Sequence, residues 1–296
     1  MKVFDWLKVF RWKNLAMMLF LILLFRYSII IPYTMGNVVL SDFYFSLFLI
    51  VILLVSAAGY LINDIYDRQI DAINNGARVL IDKSPSVIRQ TKVVYYFLNI
   101  LSIFISMFIC LRLDKLNIFT IVASAILFLW LYAIRLKKIL IVGNFVIALL
   151  SALSIISVAM FEQEVKVILA AYVLAGFAFL TTLLREFIKD VEDIEGDRRF
   201  GVISLPIVIG VEKSKYYGYA LLLCILVPLC YITKILWTKQ FLWAVSFNFF
   251  VLIIPYLFIA FLLMKAKSKD DYSQLSWYNK VLMVLGILSL SLIYFI

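Results

Sequence analysis

The chain has 296 residues, of which 65% are hydrophobic and 16% charged, and its formal net charge at pH 7 is +10. So apolar a composition excludes an ordinary soluble domain. The sequence contains no histidine, which excludes a histidine base, a histidine-bound zinc or haem, and a serine–histidine triad. Because the basic residues are dispersed over short loops, we attribute the positive charge to topology and lipid headgroups, and we expect no nucleic-acid partner.

Apolar runs long enough to cross a hydrocarbon core of about 30 Å recur along the whole chain. They predict an all-α polytopic membrane protein with nine transmembrane helices, forming a single domain over residues 1–296. The predicted spans are 15–35, 42–62, 93–112, 117–134, 139–160, 166–186, 216–233, 241–264 and 278–296.

Lysine and arginine residues concentrate in the N-terminal segment and in the loops after the second, fourth, sixth and eighth spans. By the positive-inside rule these segments face the cytoplasm. We therefore expect an integral protein of the cell inner membrane, surrounded by membrane lipids, with a cytoplasmic N-terminus. The two longest loops, roughly 63–92 and 187–215, contain turn signals and are predicted to cap the cytoplasmic mouth.

The second and sixth spans are each followed by three aspartates at the same spacing. The first triplet is Asp64, Asp67 and Asp71, and the second triplet is Asp190, Asp193 and Asp197. Offsets of 0, 3 and 7 place three side chains on one face of a helix. Half of the 18 acidic residues fall within 64–71 and 186–197, and such crowding is costly unless cations neutralise it.

Carboxylate oxygens without histidine or cysteine ligands favour a hard cation, Mg²⁺ before transition metals. Magnesium is typically shared between one or two carboxylates and substrate phosphates, so two facing triplets of metal ligands would hold a diphosphate. Candidate cations for the remaining phosphate oxygens are Arg78, Lys137, Lys138 and Lys189. With an apolar bundle behind it, the diphosphate is most naturally the head of a lipid, and aromatic faces could stabilise the carbocation that its departure leaves.

Two other classes of function are compatible with the same features. A cation-coupled membrane transporter could use paired acidic motifs, but these triplets lie at the cytoplasmic ends of the spans rather than at the midplane. A non-catalytic membrane scaffold would have no need to keep all six aspartates.

The two triplets resemble the aspartate-rich motifs of the UbiA-type intramembrane prenyltransferases, a family with nine transmembrane helices. Asn63 and the first triplet match the family pattern Asn-Asp-x-x-Asp-x-x-x-Asp after the second helix, and the second triplet matches the motif after the sixth. The segment from Leu131 to Lys138, followed by Gly143 and Asn144, is similar to the family's Tyr…Lys segment after the fourth helix.

This resemblance implies a magnesium-dependent transfer of a polyprenyl group from its diphosphate to an acceptor lipid or aromatic ring. It implies that Tyr132 and Lys137 lie at the diphosphate, where they and the six aspartates form the expected catalytic set, and that Asn14 faces the central cavity. The expected substrate-binding residues are Asn14, Asn63, Arg78, Lys138, Lys189 and Arg198. No dedicated general base is evident.

The string from Arg185 to Arg198, with Ser204-Leu205-Pro206 after it, is similar to the digeranylgeranylglyceryl phosphate synthase branch of this family. That branch attaches a geranylgeranyl chain to the hydroxyl of geranylgeranylglyceryl phosphate. The loop after the first triplet departs from the usual Asn-x-Pro-x-Arg-Pro, since it keeps Arg78 but lacks both prolines. Prenylation of an aromatic or quinone precursor therefore stays open as the alternative, as do the prenyl chain length and the oligomeric state.

Overall fold

The computed structural model describes residues 3–74 and 84–293, and within this part of the chain every regular element is helical. The α-helices are α1 (Val3–Val9), α2 (Trp12–Phe25), α3 (Ile31–Tyr33), α4 (Asp42–Asn74), α5 (Pro85–Leu113), α6 (Leu116–Ile134), α7 (Val142–Ala159), α8 (Val165–Glu192), α9 (Ile194–Arg199), α10 (Leu205–Ile209), α11 (Val211–Thr238), α12 (Leu242–Phe247), α13 (Ile254–Lys265) and α14 (Lys269–Ile293). Short π-helical turns at Arg26–Ile30 and Asn248–Ile253 join α2 to α3 and α12 to α13, and a 3₁₀ turn covers Leu136–Lys138.

Eight helical segments among the described residues are long and apolar enough to cross a membrane. They are Trp12–Tyr33, Asp42–Asn74, Pro85–Leu113, Leu116–Ile134, Val142–Ala159, Val165–Glu192, Val211–Thr238 and Leu242–Lys265. These helices indicate an integral membrane protein. The ninth predicted span corresponds to α14, which begins with the largely polar stretch 269–280 and is not among the eight.

The first triplet lies on one continuous helix, as its spacing predicts, because α4 extends beyond the apolar run as far as Asn74. The prediction that the second triplet also shares one helix is wrong. Helix α8 ends at Glu192, Asp193 occupies the junction, and α9 begins at Ile194. This break allows α9 to pack against α4, so the two triplets belong to elements in direct contact.

At the end of α4 away from the triplets, the residues after α2 pack against the start of α4. Arg26 is 1% exposed and donates hydrogen bonds to the Leu40 carbonyl oxygen (2.9 Å) and to Asp42 Oδ1 (2.7 Å). Its guanidinium carbon lies 4.1 Å from the ring centroid of Phe45. A buried arginine is tolerated here because a carboxylate, a carbonyl and a ring face all contact it.

Candidate active site

A cavity of about 410 Å³ is lined by residues of α2, α4, α6, α7, α8 and α11–α14. Most of its lining is apolar, as a site for a lipid chain requires. Three of the predicted site residues, Asn14, Asn63 and Tyr132, lie in this lining. The charged residues of the lining are Arg11, Arg185, Glu186 and Lys280.

Two carboxylates of the first triplet, those of Asp64 and Asp67, are held by cations from two other segments. Asp64 accepts a hydrogen bond of 2.7 Å from Arg11, which stands just before α2 in a left-handed backbone conformation. The Arg11 guanidinium also lies 5.0 Å from the ring centroid of Tyr60. Asp67 forms an ion pair with Lys137, and the side chain of that lysine is only 10% exposed.

The connection between α6 and α7 contacts both triplets. Its 3₁₀ turn directs Lys137 to Asp67, and Asn144, at the start of α7, donates a hydrogen bond of 2.7 Å to Asp190 Oδ2. Gly143 makes this turn possible, because a Cβ at that position would lie 2.7 Å from the Lys137 Cα. One short segment therefore positions one carboxylate from each triplet.

A direct hydrogen bond joins α4, which carries the first triplet, to α9, which carries the last aspartate of the second. The side-chain oxygen of Asn74, three residues after the first triplet, accepts a hydrogen bond of 2.9 Å from the backbone N–H of Gly196. Lys269, at the start of α14, donates to the Asn74 carbonyl oxygen. Burial, followed by the charges of Asp193 and Asp67, raises the pKa of Asp197 to about 7. The two triplets therefore lie near each other at one end of the bundle.

Lys189 lies near aspartates of both triplets. Its ammonium nitrogen lies 3.7 Å from Asp193 Oδ2. Its charge also acts on aspartates of both triplets, namely Asp64, Asp71, Asp190 and Asp197. A single lysine at this position lowers the repulsion between the two sets of carboxylates.

Two predicted substrate-binding residues, Lys138 and Arg198, are not brought to the carboxylates. The side chains of Lys138 and Arg198 are exposed, and in the part of the chain that the structure describes neither one bonds to a triplet. The Lys138 carbonyl oxygen instead accepts a hydrogen bond of 3.2 Å from the Ile203 N–H, which ties the segment after α9 to the 3₁₀ turn. Arg78 lies outside the described residues.

Sequence reasoning did not select Arg11, Asn144 or Lys280 as site residues. Arg11 precedes an apolar run, where a basic residue is indistinguishable from an ordinary topology signal. Asn144 was visible only as part of a family pattern. Lys280 was assigned to a cytoplasmic loop, but it lies within α14 and lines the cavity. Its position at the start of an apolar run could have marked it as a candidate site residue, because ionisable residues within spans are usually functional.

The carboxylate oxygens of the two triplets and Asn63 Oδ1 are ligand atoms that suit a hard divalent cation. Asn63 Oδ1 is buried and accepts no hydrogen bond from the described residues, and Asn63 lies in the cavity lining next to Asp64. Over 3–74 and 84–293 no three Asp, Glu, His or Cys residues converge closely enough to hold an ion by themselves. Oxygen atoms from a phosphate would complete such a shell, which is the usual arrangement for Mg²⁺ in proteins.

The match to curated relatives covers most of this chain and most of each relative. Three proteins named digeranylgeranylglyceryl phosphate synthase illustrate the similarity. The protein from Methanosphaera stadtmanae is 30% identical over 246 residues, covering 81% of this chain and 84% of the relative. The protein from Methanocaldococcus jannaschii is 35% identical over 244 residues, covering 81% and 80%. That from Methanococcus aeolicus is 34% identical over 266 residues, covering 86% and 88%.

Solved structures share the fold. A structure described as a digeranylgeranylglyceryl phosphate synthase in membranes has a TM-score of 0.69 at 26% identity, covering 98% of this chain and 97% of the other. A UbiA homologue from Archaeoglobus fulgidus, bound to DMAPP and Mg²⁺, has a TM-score of 0.57 at 17% identity, covering 97% and 99%. The sequence profile of the UbiA prenyltransferase family matches residues 29–284. The chain therefore belongs to the UbiA prenyltransferase family and is a membrane-embedded prenyltransferase.

Proposed function

We propose that this enzyme transfers a geranylgeranyl group from its diphosphate to the hydroxyl of geranylgeranylglyceryl phosphate. The observation that carries the proposal is the pair of aspartate triplets, joined by the Asn74–Gly196 hydrogen bond, beside an apolar cavity. The choice of acceptor is supported by relatives that are 30–35% identical over about four fifths of both chains and carry the synthase name.

The six aspartates and Asn63 are the residues that would hold Mg²⁺. When bound, the ion neutralises the diphosphate and makes it a better leaving group. The A. fulgidus homologue bound to DMAPP and Mg²⁺ supports a divalent-cation requirement.

Lys137 and Lys189 are the two cations that we expect to bind the diphosphate. Lys137 is held against Asp67 in the described structure, and Lys189 lies near both triplets. When the diphosphate binds at the triplets, we expect both ammonium groups to donate hydrogen bonds to its oxygens, since charge-assisted bonds to phosphate are stronger than neutral ones. Both therefore stabilise the charge that develops on the leaving group.

Tyr132 lies at the boundary between the carboxylates and the cavity. It lines the cavity, and its hydroxyl is within electrostatic range of Glu186, Asp67 and Asp190. At this position the ring face can stabilise the positive charge that forms at C1 of the prenyl chain. The apolar lining beyond it holds the chain and excludes water, which would otherwise capture the carbocation.

The bond changes are simple. The C1–O bond to the diphosphate breaks, the acceptor hydroxyl oxygen bonds to C1, and the hydroxyl proton passes to a carboxylate or to the departing diphosphate. No strong base is needed, because a carbocation requires little activation of its nucleophile. Asn14, in the cavity lining, is placed to orient the acceptor.

For the membrane arrangement, we propose that α14 forms a ninth span and that the N-terminus and the triplets face the cytoplasm at the inner membrane. The segment between α8 and α11 would cap the mouth, whereas the other predicted cap, after α4, falls largely on residues 75–83, which lie outside the described residues. The excess of basic residues on this side supports the orientation.

The test is product analysis with purified protein, Mg²⁺ and labelled geranylgeranyl diphosphate. The acceptors offered are geranylgeranylglyceryl phosphate, a quinone precursor and a simple aromatic acid, and products are identified by mass spectrometry. We expect label in the ether lipid. Label in an aromatic product instead would replace the proposed acceptor, and magnesium-independent turnover would refute the metal assignment.

Asp67→Ala and Asp193→Ala should each abolish turnover while the detergent-solubilised protein stays monodisperse. Asp270→Ala is the matched control, because Asp270 is exposed at the start of α14 and belongs to neither triplet. Near-normal activity in both triplet variants would contradict the proposed role of the carboxylates.

A further inference from the structure

Lys280 differs from the other charged residues of the cavity lining. Arg11 is paired with Asp64, and Arg185 is paired with Glu186. Lys280 is half-buried on α14 and, among the residues that the structure describes, has neither a hydrogen bond nor an ion pair from its side chain. A partly desolvated ammonium group without a partner is costly, unless something that the chain binds supplies the negative charge.

The charged groups nearest to Lys280 do not supply a countercharge for it. Arg185, Lys189 and Arg11 act on its charge more strongly than Glu192 does. The neighbouring carboxylates Asp64 and Glu186 are already paired with Arg11 and Arg185. A bound anion would therefore supply the countercharge that Lys280 lacks.

The position of Lys280 separates it from the expected site of the diphosphate. Asn279, the residue before Lys280, donates a hydrogen bond of 3.1 Å to the Thr181 carbonyl oxygen on α8. Asp190 is nine residues further along α8, about 14 Å. Lys280 therefore lies deeper in the bundle than the second triplet, on a wall of the cavity formed by α14, which packs on α8 and α2.

We propose that Lys280, assisted by Arg185, binds the phosphate of the lipid acceptor and makes the enzyme select acceptors with a phosphomonoester head. This inference rests on the proposed function, since it names the acceptor group that the same cavity recognises. A phosphomonoester carries about −1.5 to −2 charges at pH 7, enough to be shared by an ammonium and a guanidinium group. A neutral acceptor would leave the ammonium of Lys280 unpaired inside the cavity.

The test compares two acceptors that differ only in the phosphate, geranylgeranylglyceryl phosphate and geranylgeranylglycerol. Binding of each is measured by calorimetry on the detergent-solubilised protein, and KM and kcat are measured for acceptor and donor. The variants are Lys280→Met, which keeps side-chain length without charge, and Lys280→Arg, which keeps the charge. Lys267→Met is the matched control, because Lys267 is exposed just before α14.

We expect Lys280→Met to weaken binding of the phosphate-bearing acceptor and to raise its KM by roughly 10- to 100-fold, the range for a lost hydrogen bond to a charged group. Binding of geranylgeranylglycerol and the KM for geranylgeranyl diphosphate should stay within about twofold of wild type. Lys280→Arg should keep most of the preference for the phosphate, and Lys267→Met all of it.

Equal binding of the phosphate-bearing acceptor by wild type and Lys280→Met would overturn the inference, as would an increase in the KM for the donor alone. These outcomes are distinct from failure of the proposed function. If the wild-type enzyme prenylates only aromatic acceptors, the proposed function fails, and the calorimetry still decides whether Lys280 binds a lipid phosphate.

Discussion

Gly196→Ala tests whether the hydrogen bond between the two triplets organises the site. A Cβ at position 196 would lie 2.5 Å from Oδ1, 2.6 Å from Nδ2 and 2.7 Å from Cγ of Asn74. The amide of Asn74 must therefore rotate away, and the bond that it accepts from the Gly196 N–H at 2.9 Å is lost.

The size of the effect follows from this contact. Both residues are buried, so displacing the amide leaves an N–H group without an acceptor, at a cost of about 1–3 kcal/mol in the free energy of unfolding. The same displacement moves Asp197 relative to the first triplet. We expect kcat/KM to fall roughly 10- to 100-fold, since a shift of about 1 Å at a reacting centre can have that effect.

The assay combines thermal unfolding in detergent with prenyl transfer at saturating Mg²⁺. Gly176→Ala on α8 is the control, because a Cβ there meets nothing within 4 Å, so both quantities should stay close to wild type. The double variant Gly196→Ala/Asn74→Ala removes the clash and should be more stable than Gly196→Ala alone. The reasoning is refuted if Gly196→Ala matches Gly176→Ala in both stability and activity.

Two more outcomes follow from other parts of the structure. The pKa of Asp197, raised to about 7 by burial and neighbouring carboxylates, means that a proton competes with Mg²⁺ for this residue. Because the ion binds the deprotonated form, the apparent Mg²⁺ dissociation constant should rise about tenfold per pH unit below 7 and level off above it. Asp197→Asn should reduce this dependence, and a flat wild-type profile would contradict it. Arg26→Met leaves the Leu40 carbonyl without its donor and should lower the free energy of unfolding by about 1–3 kcal/mol. Since Asp42 and Asp64 are about 33 Å apart along α4, the KM for the donor should not change; a raised KM with normal stability would argue against this account.

The sequence by itself determined the features that depend on local repeats. Long apolar runs specify spanning helices, because about 20 residues of helix match the thickness of the hydrocarbon core. The 0, 3, 7 spacing of the first triplet predicts one carboxylate face, and it holds because α4 continues unbroken to Asn74. The same spacing was misleading for the second triplet, since α8 ends at Glu192.

Only the tertiary structure decided which groups meet. Helix α9 lies against α4, and Gly196 bonds to Asn74, a residue 122 positions away in the chain. The pairing of Asp64 with Arg11 and of Asp190 with Asn144 likewise joins segments far apart in the sequence. Helical periodicity states which face of its own helix a side chain occupies, but not which neighbour that face packs against. For that reason a lysine counted with the loops, Lys280, proved to line the cavity.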